Sequence, residues 1–126
     1  MMTRIVQGLA WLVVAGLVIQ FYFAGAALFG ATTFQPHRTL GDALGVAILL
    51  LLVVTLIARP GRRVLGLVAV LTALTIVQVV LPSLRTGSAW VAALHVVNAA
   101  LLLGVTINVA RICGIELIRH RERVSP

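Results

Sequence analysis

Polar side chains along this chain do not alternate with apolar ones. They gather in short segments that separate long apolar runs, the main body of which falls at Ile5 to Gly30, Gly41 to Ala58, Val64 to Leu81 and Ala89 to Ala110. A helix rises 1.5 Å per residue, so about 20 residues cross a hydrocarbon layer of ~30 Å. Lipid offers no partner to backbone polar groups, so runs of this length must be helices that satisfy their own N–H and C=O groups. The pattern predicts spans over about 5–30, 37–58, 64–82 and 89–111, followed by a basic segment over 112–126. The connections are short, which makes consecutive helices antiparallel neighbours. The expected fold is therefore all-α, an up-down four-helix transmembrane bundle forming a single integral membrane domain over residues 1–126.

Local signals agree. Pro36 suits the first turn of the second helix, Pro82 should end the third, and Ser88 is a candidate N-cap for the fourth. Small residues at helical spacing, Ala26 and Gly30, Gly41 and Gly45, Ala69 and Ala73, Ala100 and Gly104, are expected at helix contacts. No internal repeat is evident, although the second and fourth helices each carry a histidine toward the same end.

Composition fits a membrane protein: 61% of residues are hydrophobic and only 10% charged, with a formal net charge of +7. In a soluble protein that charge would suggest nucleic acid, but here the basic residues flank apolar runs and no basic, aromatic-rich face accompanies them. All the basic residues are arginines, and they sort unequally. Arg4, Arg59, Arg62, Arg63, Arg111, Arg119, Arg121 and Arg123 fall on one side, and only Arg38 and Arg85 on the other. The positive-inside rule then places both termini in the cytoplasm, a multi-pass arrangement in the cell's inner (cytoplasmic) membrane, with anionic lipid headgroups as partners of the arginine-rich face. The apolar run after Arg4 exceeds a signal peptide's 7 to 15 residues, so it is expected to stay as a span. Trp90 is the expected interface anchor.

Candidate chemistry is sparse. Three acidic residues in all, with no nucleophile beside a base and no glycine-rich phosphate loop, give no catalytic constellation. The single cysteine, Cys113, rules out an internal disulfide. Polar groups within spans mark candidate sites because lipid makes them costly. These are Gln20, Asp42, Gln78, His95, Asn98 and Asn108, with His37 and Arg38 at the outer rim. All but Asn108 fall toward the outer half.

Two histidines on different helices of a bundle can ligate haem iron, so His37 and His95 are the candidate metal ligands. Gln20, Gln78 and Asn98 would line the pocket, and Arg38 and Arg85 would meet haem propionates or lipid phosphates. Measured from Arg59 and Arg111, the two histidines differ in height by about 9 Å, which tilt alone does not remove. Alternatively, His95 makes an interhelical hydrogen bond to Gln20 or Gln78, and His37 is a solvated or headgroup-facing rim residue.

The segments Gln20-Phe21-Tyr22-Phe23-Ala24-Gly25, Phe34-Gln35-Pro36-His37-Arg38-Thr39-Leu40-Gly41 and Leu94-His95-Val96-Val97-Asn98-Ala99 together resemble a family of small four-span actinobacterial membrane proteins of unknown function. More loosely, the arrangement is similar to four-helix b-type cytochrome and haem A synthase modules, a likeness that implies haem b. Three functions are thus expected candidates: a haem-binding or electron-transfer subunit, a cofactor-free accessory or assembly subunit working with another membrane protein or a second copy, and a quinone- or lipid-binding protein using His95, Asn98 and Trp90.

Overall fold

A computed structural model describes residues 2–124. It contains α1 (Met2–Leu28), α2 (Gln35–Ala58), α3 (Arg62–Val80), a 3-10 segment (Leu81–Thr86) and α4 (Ala89–Val124). Four of these helical stretches are long and apolar enough to cross a membrane, which makes the chain a multi-pass membrane protein by length and composition. The arrangement is an all-α four-helix bundle.

The helix ends follow local chemistry. Pro36 occupies the first turn of α2, where its missing N–H has no partner to lose. At the other end of α2, Arg59 adopts the left-handed conformation (φ 46°) and its N–H reaches the Thr55 carbonyl at 3.0 Å. Gly61 then turns the chain at φ 129°, a value disfavoured for any residue with a Cβ. Pro82 cannot extend the α-helical ladder, so α3 stops at Val80 and the chain tightens into the 3-10 segment. Ser88 Oγ accepts the Val91 N–H at 3.4 Å, the cap expected from sequence. α4 continues several turns past the anticipated boundary at 111.

Each helix packs on two neighbours, α1 on α2 and α4, and α3 on α2 and α4. The helices therefore stand in a ring, and diagonal pairs meet only through side chains. Buried residues recur at three- and four-residue intervals: Val6, Ala10, Val13 and Leu17 on α1; Leu44, Ile48, Leu51 and Thr55 on α2; Val64, Val68 and Leu71 on α3; Asn98, Leu102, Thr106, Val109 and Cys113 on α4. That spacing keeps one stripe of each helix on the axis. Large apolar residues such as Leu12, Ile57, Val79 and Trp90 face outward, as lipid requires. The buried hydroxyls of Thr55 and Thr106 bond to the Leu51 and Leu102 carbonyls, both at 2.7 Å, so neither is left unsatisfied.

The small-residue pairs anticipated from sequence are mostly not where backbones approach. Ala69, Ala73, Ala100 and Gly104 face outward, and nothing lies within 4 Å of a Cβ built at Gly45 or Gly104. The crowded glycines are Gly16, Gly41 and Gly114, which make room for side chains: an added Cβ would sit 2.5 Å from Leu44 Cδ2, 2.9 Å from Gln20 Nε2 and 2.7 Å from Gln7 Nε2. The spacing of small residues alone does not say which side of a helix faces its neighbour, and the valine and leucine stripes decide that here.

Candidate functional site

Near the loop end of the bundle, each antiparallel hairpin closes on a glutamine and a histidine. In the first, the α1 residue Gln20 donates its Nε2 to the His37 carbonyl at 2.7 Å, while His37 Nδ1 lies 3.2 Å from the Gln20 carbonyl. In the second, His95 Nδ1 lies 3.0 Å from the Gln78 carbonyl, and Gln78 Nε2 lies 3.2 Å from His95 Nε2. In both, glutamine and histidine are 17 residues apart.

A carbonyl oxygen only accepts, so Nδ1 carries the proton in each imidazole. In the neutral ring this leaves Nε2 with a lone pair. Gln78 Nε2 donates to that lone pair on His95, and Gln20 Nε2 stands farther off, 3.5 Å from His37 Nε2. The two rings meet across the bundle axis, although α2 and α4 are diagonal helices. Their centroids are 6.2 Å apart with the planes at 67°, and Phe34 packs edge-on to His37 from the outer side.

The height difference of about 9 Å expected between the histidines does not separate the rings. Arg111 is not level with Arg59, because α4 does not end there but runs on to Val124. His37 is half-buried, not a solvated rim residue.

The matching separations belong to a repeat that the sequence did not disclose. The offset from Gln20 to Gln78 also relates His37 to His95, and it relates buried residues in pairs: Val6 with Val64, Ala10 with Val68, Val13 with Leu71, Leu44 with Leu102, Ile48 with Thr106, Leu51 with Val109, and Thr55 with Cys113. The bundle is two copies of one helical hairpin. Few of these pairs are identical residues, which is why they do not stand out along the chain.

The repeat breaks at one place that bears on the site. Asn98 Nδ2 reaches Gln78 Oε1 at 2.6 Å and the Leu74 carbonyl at 2.9 Å. The equivalent residue in the first hairpin is Leu40, and Gln20 Oε1 is buried without a hydrogen-bond partner. Gln78 is held through both its amide oxygen and its amide nitrogen, Gln20 through its nitrogen alone.

Of the candidate residues, Gln20, His37, Gln78, His95 and Asn98 form this cluster. Arg38 and Arg85 are exposed at the same end and stand outside it. Trp90 is 88% exposed on the outer surface, whereas Asn98 is only 6% exposed, so the two do not share a pocket. Among the described residues no group of three or more histidine, cysteine or acidic side chains is placed to hold a metal ion. Any metal would rest on the two imidazoles.

Residues 20–87 match a family of unknown function, DUF6220. The chain belongs to that family. The matched stretch contains Gln20, His37 and Gln78 and ends before His95 and Asn98. No curated protein and no solved structure matches the chain, and the looser likeness to cytochrome and haem A synthase modules gains no support from these comparisons.

Proposed function

We propose that this member of the family is a small b-type haem-binding protein of the membrane, with His37 and His95 as the two iron ligands. The observation that carries the proposal is the meeting of the two imidazoles across the axis, edge-on with 6.2 Å between centroids. Each ring would offer its Nε2 lone pair to the iron, and a neutral imidazole is a good haem-iron ligand. The donor set fits as well. Each Nδ1–H is tied to a backbone carbonyl, which fixes the tautomer and orients Nε2 as a ligand, the second-shell arrangement of metal-bound histidines.

Haem held here would supply a one-electron carrier in a water-poor site. The chain's own contribution is to hold two neutral imidazoles in a fixed tautomer. The Gln20 and Gln78 carbonyls do this, and Phe34 covers the outer side of His37. The exposed Arg38 and Arg85 lie at the same end, where they would meet carboxylates at the surface. Ligation requires both glutamine amides to turn away from Nε2. The bond from Asn98 to Gln78 opposes this in the second hairpin, and that observation favours a second reading, a cofactor-free accessory subunit whose polar clamp locks the bundle.

A reduced-minus-oxidised spectrum of protein purified in detergent after expression with ample haem separates the two. Haem binding predicts a sharp low-spin band, abolished by His95→Ala and by His37→Ala. A colourless wild-type protein would refute it, and a stoichiometric membrane-protein partner recovered with that colourless protein would establish the accessory role.

A further inference from the structure

A groove lies at the opposite end from the histidines, on the lipid-facing surface between α3 and α4. Its volume is about 480 Å³, and its lining includes Arg62, Arg63, Gly66, Val70, Asn108 and Ile112. Arg62 and Arg63 begin α3, and the groove runs from them to Val70, about 12 Å along the helix. No side-chain cap serves the N-terminus of α3. Gly66 forms an open trough, with nothing within 4 Å of where a Cβ would be. Asn108 is exposed on an apolar helix; its Nδ2 bonds the Gly104 carbonyl at 2.9 Å, and its amide oxygen remains an acceptor for a ligand in the groove.

The repeat provides an internal comparison. In the first hairpin the equivalent positions are Arg4, Ile5, Gly8, Leu12, Leu50 and Val54. The arginine and the glycine recur, and the other apolar positions remain apolar. Two positions change character: Ile5 becomes Arg63 and Leu50 becomes Asn108. The second hairpin has thus gained a cation and an amide on a lipid-facing groove where the first is apolar. An exposed amide in lipid is costly unless something bonds it, and paired guanidinium groups bind phosphate well.

We infer that this groove is a binding site for one anionic phospholipid. Arg62 and Arg63 take the phosphate, Asn108 bonds the glycerol or headgroup region, and an acyl chain lies along Gly66 and Val70. The charge complementarity and the apolar floor below the arginines select a lipid over a soluble anion.

The test is a titration of delipidated protein in detergent with phosphatidylglycerol, phosphatidylcholine and inorganic phosphate, read by native mass spectrometry and by thermal midpoint. Wild type should bind one phosphatidylglycerol about five- to tenfold more tightly than phosphatidylcholine. The double variant Arg63→Ile with Asn108→Leu, which restores the first hairpin's residues, should lose that preference, and Arg4→Gln should keep it. Gly66→Leu fills the trough while leaving every charge in place, and should weaken the binding of both lipids with an unchanged elution volume. Retained preference in the double variant, undiminished lipid binding in Gly66→Leu, equal loss in Arg4→Gln, or displacement of the lipid by inorganic phosphate would each overturn the assignment.

Discussion

Asn98 and Leu40 occupy equivalent places in the two hairpins, yet only Asn98 completes a hydrogen-bonded chain, from the Leu74 carbonyl through Gln78 to His95. Removing it strands Gln78 Oε1 in an apolar setting. Asn98→Leu should therefore cost about 1–2 kcal/mol in a reversible unfolding titration in mixed micelles. The reciprocal change tests the vacancy beside Gln20 Oε1. Leu40→Asn should stabilise by about 0.6 kcal/mol, the usual size of an interhelical hydrogen bond in a bilayer. A loss of stability there would mean that Leu40's packing outweighs the unsatisfied oxygen.

Between helices, the Gln20 to His37 clamp depends on Gly41. A Cβ at that position would lie 2.9 Å from Gln20 Nε2, so the amide must shift and its bond to the His37 carbonyl is strained. Gly41→Ala should destabilise by about 1–2 kcal/mol, as overpacking at a helix contact does. Gly25→Ala, on a helix surface with nothing within 4 Å, should be neutral or stabilise by up to about 1 kcal/mol, because alanine is the better helix former. Paired unfolding curves of the two variants in the same micelles check this. The contrast also separates a packing effect from helix propensity, which would improve both.

For the molecule as a whole, the antiparallel ring puts residues 29–34 and 81–88 at one end and the arginine-rich turn at the other. The arginine asymmetry predicts that the histidine end faces outward. In a Cys113→Ala background, Thr33→Cys and Ser83→Cys should react with a membrane-impermeant maleimide in intact cells, whereas Thr3→Cys and Glu122→Cys should react only after permeabilisation. The reverse pattern would invert the bundle. Combined with the groove between α3 and α4, this orientation sets the histidine pair and the lipid site on opposite leaflets.

Most of the fold was legible along the chain. Apolar runs long enough to span lipid leave the backbone no choice but helix, and short connections force antiparallel neighbours; both constraints are local, so they are visible without coordinates. The residue types of the site were legible for the same reason, since Gln20, Gln78, His95 and Asn98 are conspicuous in an apolar setting. Their partnerships were not. Whether His37 meets His95 depends on how far α4 slides past α2 across the axis, and that register comes from side-chain packing of Leu44, Ile48, Leu102 and Thr106 rather than from any spacing within one helix. The duplicated hairpin stayed hidden because packing conserves burial and volume more than identity. Pairs such as Ala10 with Val68, or Thr55 with Cys113, become equivalent only when both are seen on the same buried stripe. Sequence by itself determined four apolar helices long enough to cross a membrane, with histidines near one end; only the tertiary structure decided that those histidines meet across the axis.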